Sequence, residues 1–597
     1  MLKTIAIAGT GLSLLLTAGA IARGQDKPAA GSQTRPATSQ PARSAAEMEF
    51  AALADAYLAK YKPLVLKSEK AWWDANITGS DEAFKQRREA VNALVDLHSD
   101  HETFAKLKAY KNGGQIADPL LRRTLEVMYL AHVPCQADKD LQKKIVELET
   151  NLEQMFNTYR STIDGKSLTE NDIRQILSET KDSTAAEKAW KAYTAVGEKV
   201  APQLHQLVLL RNQLARQVGF SSYFTMQLYL QEIDEQELWR IFDDLYNQTR
   251  EPYTALKNDI DAAMAARFGI AKTDLRPWHY CDLFFQEPPA LAEDKLSEAY
   301  KNQDLQAMAK DYYASIGLAV DDILARSDLY EKPGKCPHAF AADLDRAGDT
   351  RVLANLKPTL YWADTILHEL GHAAYDKYIG PDVPFVLHTA SHGITTEGVA
   401  LMMGAKAKNP EWLVQAMKLS PEQAAELCKS VNNSVSAEKL IFSRWAQVVV
   451  RFEREMYEKP DQDPARFWWY LRRQYQGLEL PGGMDRPDYA AKIHIVTVPV
   501  YYHNYVLGDL FAAQVQNYVG TNILHAPDPA AASFYGQRKV GAYLREMIFA
   551  PGNLVSWNDL TKQATGEGLS TRYLVEQFAQ SRKAVAPAAP TPPKSSQ

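Results

Sequence analysis

The run from Thr365 to Tyr375 reads TILHELGHAAY, which sets His368 and His372 four positions apart with Glu369 between them. On a helix, positions i and i+4 share a face, so both imidazoles can reach one cation about 2.0 to 2.1 Å away. Glu369 lies one position further round. It cannot complete the same coordination shell but can take a proton from water beside the cation, which suits a general base in metal-assisted hydrolysis. With 13 histidines in 597 residues, HExxH arises by chance in roughly two of a hundred such chains, so the motif needs support from its surroundings. Gly371 permits close packing behind the rings, the flanking apolar residues keep helical spacing, and a third donor follows at Glu397. The first helix should stop near Gly380 and Pro381, because glycine readily ends a helix and proline cannot continue it. A second helix is expected around Thr395 and Thr396, with Glu397 in its first turn, continuing through Val399, Leu401 and Met402. Returning antiparallel, Glu397 would complete a set of two histidines and one carboxylate around one zinc ion, leaving a fourth position open. His388, His392 and Asp382 in the connection are rival donors, and Glu397 could instead serve only the dipole of its helix.

The elements that must hold these groups are helical almost throughout. Phe50, Leu53, Tyr57, Leu58 and Tyr61 recur at helix spacing, as do Leu141, Ile145, Leu148, Leu152, Met155 and Phe156. Thr184 and Glu187 have the spacing of a capping box before a helix through Trp190. Strand-like runs are scarce; the best is Arg351 to Leu356, just before the metal motif. No internal repeat and no Pro/Gly-rich break interrupts residues 47–583, which predicts one predominantly α-helical catalytic domain, bilobed about a cleft. Residues 23–46 and 584–597 are Pro, Ser, Thr and Ala-rich, the composition of disordered segments.

Composition narrows the partners. A net charge of -6 and no block of consecutive Lys and Arg exclude a phosphate-tracking surface, so no nucleic acid is expected. Residues 1–22 carry Lys3, an apolar run from Ile5 to Leu16 and small residues at Ala18, Ala20 and Ala22, the pattern of a secretory signal peptide. The run is short of the roughly 18 to 20 apolar residues that span a bilayer, so a secreted or periplasmic protein is expected, without stable membrane insertion after cleavage. Cys135, Cys281, Cys336 and Cys428 are too few and too scattered for a disulfide scaffold.

CPHAFA (Cys336 to Ala341), HELGH and TTEGVA together resemble the M2 metallopeptidases, the angiotensin-converting enzyme family, and more distantly the M3 oligopeptidases. LTENDIRQIL (Leu168 to Leu177), LVLLRNQLARQVGFSSYF (Leu207 to Phe224), FWWYLRRQYQGLELP (Phe467 to Pro481) and DYAAKIHIVTVP (Asp488 to Pro499) extend the resemblance over most of residues 47–583. It implies a helical ellipsoid split by a deep central channel, a gluzincin zinc site on its floor, and hydrolysis of short peptides by release of C-terminal dipeptides. Internal cleavage in the M3 manner is the second implied activity, and a peptide-binding homologue without catalysis is a third reading. Carried over by position, His494 and Tyr505 would hydrogen-bond the oxyanion, Lys492 and Tyr502 would receive the substrate carboxylate, and His338 and Ala339 would line the substrate strand. The chain departs from the family pattern at four points. Leu401 stands where the family has an Asp that orients a ligand imidazole, with Asp364 or Asp376 as possible substitutes. The spacing from His494 to the Tyr-x-x-Tyr pair is one residue longer, which makes Tyr501 a rival for Tyr502 and His503 or Asn504 lesser rivals for Tyr505. Asn504 stands where chloride-activated members have Arg, so chloride activation is not implied. Tyr280 stands where a family Gln helps hold the carboxylate, and a phenol can still donate one hydrogen bond there.

Overall fold

The apolar spacing that begins at Phe50 is anchored by a cap. Ser44 Oγ accepts the Glu47 amide while the Glu47 carboxylate accepts the Ser44 amide, and helix Ala45–Thr78 runs on from this box. Helix therefore starts two residues before the expected boundary at 47. The computed structural model describes residues 43–289, 295–479 and 485–585. The expected leader at 1–22 lies outside the described residues, as do nearly all of the 23–46 linker and the tail from 586. Residues 584 and 585, the first two of the 584–597 segment expected to be disordered, instead close a helix, Arg572–Val585.

The helical spacing from Leu141 to Phe156 is realised in helix Lys139–Thr158, capped by Asp138. The expected cap at Thr184 does not form: Asp182 takes the role, accepting the Thr184 amide at 2.8 Å, and Thr184 falls inside helix Ser183–Thr194. An Asp side chain one position outside a helix satisfies an orphan amide as well as a Thr can, and the two candidates are not separable by spacing alone. The expected strand near Arg351 is Thr350–Leu353, paired antiparallel with Phe340–Asp343 so that Phe340 faces Leu353. A second hairpin, Ser161–Ile163 with Lys166–Leu168, carries no alternation long enough to be read from sequence.

One hydrophobic core runs through the chain from Phe50 to Phe578. A smaller cluster joins Trp73, at the end of the first helix, to Phe340 and Leu353, and so fixes the 340–353 hairpin. That hairpin lies along the helix Leu360–Lys377, here the motif helix. Two further helices complete the centre: Gly393–Gly404, the glutamate helix, and His503–Tyr518, the tyrosine helix. Their backbones meet at glycines. A Cβ on Gly371 would stand 2.9 Å from Ala400 Cα, and one on Gly398 would stand 2.6 Å from Phe511 Cδ1 and 2.9 Å from the Gly508 carbonyl. Side chains cannot be accommodated at such distances, so glycine is what lets the three helices close. All four cysteines are free, and among the described residues no helix is long and apolar enough to cross a membrane.

Gly398→Val should cost about 1 to 3 kcal/mol by overpacking this contact. The check is the midpoint of guanidinium unfolding; a midpoint equal to the parent's would show that the helices are not in backbone contact.

Candidate metal centre

The motif helix is capped by Thr359, whose hydroxyl accepts the Trp362 amide, and ends at Lys377, shortly before the expected Gly380–Pro381 stop. It directs His368 Nε2 and His372 Nε2 to within 3.2 Å of each other. The glutamate helix starts two residues earlier than expected, at Gly393, because His392 caps it by accepting the Ile394 amide through Nδ1 at 3.0 Å. Glu397 therefore sits in the second turn, where the dipole of the helix terminus has faded. Its carboxylate oxygens lie 3.6 Å from His368 Nε2 and 3.4 Å from His372 Nε2. Three donors in tetrahedral directions, each about 2.1 Å from one ion, lie about 3.4 Å apart. The three side chains thus fit a zinc-sized cation. Among the described residues they are the His/Cys/Asp/Glu group that could hold a metal ion; His388, His392 and Asp382 are not part of it.

Charge balance at the centre follows from burial. Burial pushes the Glu369 carboxyl up to about 8, with Glu397 adding to the shift and His372 and the Ala341 backbone opposing it. Both Glu369 oxygens are buried without a hydrogen-bond partner. Burial also raises Glu397, but His368 and His372 outweigh it and hold the carboxyl below its ordinary value. For His372, burial disfavours the charge while the hydrogen bond and charge of Glu397 overcome it and raise the pKa.

The group behind the His372 ring is a hydroxyl. Thr396 Oγ1 lies 2.7 Å from His372 Nδ1, which leaves Nε2 to face the site. Asp364 pairs with Lys408 at 3.0 Å and sits beside His368 under Gly404, and Asp376 acts on His372 through its charge. Thr396 carried no signal in the sequence, since a hydroxyl next to a ligand residue is common in any helix.

Tyr501, Tyr502, His494 and Lys492 gather around the start of the tyrosine helix, near Tyr505. A Cβ on Gly508 would lie 3.4 Å from Glu397 Cγ, so this helix face rests on the Glu397 side chain, and Tyr505 is on the same face one turn earlier. The Tyr505 ring lies 5.4 Å from both Tyr501 and Tyr502. Burial holds the Tyr505 phenol well above its ordinary pKa, so it remains a donor. The His494 ring lies 5.3 Å from Tyr502, is held far below its ordinary pKa by burial and by Lys492, and leaves Nδ1 without a partner. Lys492 Nζ stands 5.6 Å from the Tyr502 ring and donates to Gln286 Oε1 at 2.8 Å; burial lowers its pKa to about 8. Tyr502 accepts from Trp445 Nε1 at 2.9 Å. His338 and Ala339 lead into strand Phe340–Asp343, whose Ala341 backbone approaches Glu369. His503 is fully buried beside His392, and Asn504 donates to Gln231, so neither replaces Tyr505.

Tyr280 is not with this group. Its hydroxyl is held by Lys257 at 2.8 Å and donates to Asp261 at 2.8 Å, in a separate cluster with Phe285. Gln286 stands beside Lys492 instead, with its Nε2 buried and unpartnered. The segment between them turns twice through left-handed residues, Cys281 and Phe285, and Asp282 accepts the Phe284 and Gln286 amides. Counting along an ungapped stretch cannot follow that path.

Two measurements check the centre. Thr396→Val should weaken zinc affinity by about 10- to 100-fold in a chelator competition. Cation binding must displace the proton that Glu397 favours on His372, so affinity should fall as pH drops through the raised imidazole range and level off above it. An affinity that does not change from about pH 5 to 8 would contradict the ligand set.

A family model described as angiotensin-converting enzyme, peptidase family M2, matches residues 44–279 and 286–583. The break falls on the turn that misplaces Tyr280, and Gln286 opens the second block. The chain is 24% identical over 585 residues to angiotensin-converting enzyme of Rattus norvegicus, covering 90% of this chain and 43% of that protein. It is 23% identical over 592 residues to that of Bos taurus, at 90% and 43%, and 23% identical over 570 residues to that of Oryctolagus cuniculus, at 88% and 42%. The chain spans less than half the length of these curated relatives. Because the family match takes in nearly all of the described helical body, including the three converging helices, this chain belongs to the angiotensin-converting enzyme (M2) family of metallopeptidases.

Proposed function

We propose that this chain is a zinc-dependent peptidase that releases C-terminal dipeptides from short peptides. The observation that carries the reading is the buried Lys492–Gln286 pair, set one aromatic ring, that of Tyr502, away from Tyr505. An ammonium and a free amide N–H in an apolar enclosure are donors suited to a carboxylate. Two residues of extended peptide span about 7 Å, the scale of one intervening ring.

His368, His372 and Glu397 would hold the zinc, which when bound polarises the scissile carbonyl and acidifies water. Glu369, on the motif helix beside the Ala341 backbone, takes the proton of the attacking water and delivers it to the leaving amine. A neighbouring cation favours its ionised form, reversing the burial shift. Tyr505 and His494 are neutral donors at working pH, and supply hydrogen bonds where the oxyanion develops. Lys492, Gln286 and Tyr502 receive the terminal carboxylate, while His338 and Ala339 border the peptide backbone. Export by the leader at 1–22 and a single catalytic domain from 47 to 583 belong to the same proposal.

Glu369→Gln should retain one zinc and lose about 100- to 10,000-fold in kcat; undiminished turnover would remove Glu369 from the chemistry and leave the fold as a binding protein. A peptide with a free C-terminus should be cut at least about tenfold faster than its amidated twin, since the amide cannot pair with Lys492. Equal rates with internal cuts in the product masses would assign the chain to oligopeptidase action instead.

A further inference from the structure

Val500 is buried, β-branched and left-handed, with φ +55°. A β-branched side chain crowds the backbone in that conformation, so it persists only where neighbours impose it. Both polar groups of the residue are held from elsewhere in the chain. Glu453, on the long helix Pro421–Glu458, accepts the Val500 amide through Oε1 at 2.8 Å. Gln231, the C-cap of helix Tyr223–Leu230, donates Nε2 to the Val500 carbonyl at 3.0 Å. The oxygen of the same Gln231 side chain accepts Asn504 Nδ2 at 2.8 Å, which ties the turn to the start of the tyrosine helix. Four residues upstream, Arg211 donates to the Val496 carbonyl at 2.9 Å and is itself held by the buried Glu149 at 2.6 Å.

The turn is the only link between helix Ile493–Thr497, which carries His494, and the tyrosine helix, which carries Tyr505. Tyr501 and Tyr502 follow it and diverge. Both rings touch Tyr505, but on their other sides Tyr502 packs on Trp445, His494 and Lys492, whereas Tyr501 feels the charge of Glu397. Rotating Val500 into the extended region would swing both rings relative to Lys492, because every atom after its Cα turns with φ.

We propose that Glu453 and Gln231 are positioning residues: by holding Val500 left-handed they set the separation between the Lys492–Gln286–Tyr502 group and the Tyr505–Glu397 side of the site, and with it the length of peptide that fits between carboxylate and scissile bond. This rests on the proposed peptidase reading. Neither residue touches substrate in this scheme, and the clamp works through backbone geometry alone.

The test uses the zinc-loaded full chain. Glu453→Leu removes the acceptor at similar bulk, Glu453→Gln keeps an acceptor oxygen, and Val500→Gly makes the left-handed conformation free of strain. Glu453→Leu should raise KM for the free-carboxylate peptide about tenfold or more while changing KM for the amidated twin far less. Glu453→Gln should stay within about threefold of the parent, and adding Val500→Gly to Glu453→Leu should bring KM back to that range, because glycine keeps the turn unaided. Hydrogen exchange over residues 498–505, which needs no catalysis, should quicken about tenfold or more in Glu453→Leu. Gln231→Ala should move both readouts in the same direction and serves if Glu453→Leu does not fold. A folded Glu453→Leu with parental KM ratio and exchange, or a loss that Val500→Gly does not rescue, overturns the proposal. If the parent itself does not distinguish the two peptides, the carboxylate reading falls, and unchanged exchange in Glu453→Leu and Gln231→Ala separately decides against the clamp.

Discussion

Two imidazole nitrogens facing each other across 3.2 Å gain nothing from the approach unless a proton or a cation lies between them. Adding a carboxylate at 3.4 and 3.6 Å makes the arrangement self-consistent for a divalent ion and costly without one. The surrounding structure is organised to maintain that convergence. Thr396 fixes the His372 ring, and glycines at 371, 398 and 508 let three helix backbones close until a donor from the glutamate helix reaches the histidines of the motif helix. A side chain at Gly371 or Gly398 would push apart elements whose tolerance is a few tenths of an ångström.

The polar groups around this centre divide by sign. Carboxylates crowd the metal side: Glu369 and Glu397 lie close enough that each shifts the other or its neighbours, and Asp376 adds to the field at His372. On the far side of Tyr502 and Tyr505 the single ammonium of Lys492 is enclosed by the rings of Phe284, Trp445 and Tyr502. In the proposed reading, an extended chain lying between them would meet general base and cation at one end and a cationic enclosure at the other. That polarity is the ground for proposing a peptide with a free C-terminus as substrate. The tyrosines in the middle insulate the two ends, and their raised pKa values keep them neutral donors across the working range.

Much of this was legible because helical spacing and metal chemistry obey strict rules. The i, i+4 histidines, the intervening Glu369 and the returning Glu397 were readable from residue types, and the structure brings the three donors together. The start of the glutamate helix was misplaced by two residues because His392, an uncommon cap, satisfies the first amides. Gln286 was missed because the turns at Cys281 and Phe285 break the correspondence between sequence distance and space. Thr396 and Val500 were invisible for a different reason: an imidazole partner 24 residues away, and a strained φ held by Glu453 and Gln231, exist only once the chain has folded. Long-range hydrogen bonds of this kind carry no periodicity to read.

Zinc-edge anomalous diffraction from crystals of the zinc-loaded protein would locate the ion itself. One strong peak is expected about 2.0 to 2.2 Å from His368 Nε2, His372 Nε2 and a Glu397 oxygen, with Glu369 beside it but not bound to it. A zinc ion held elsewhere, or no ordered zinc at these three side chains in protein that contains the metal, would contradict it.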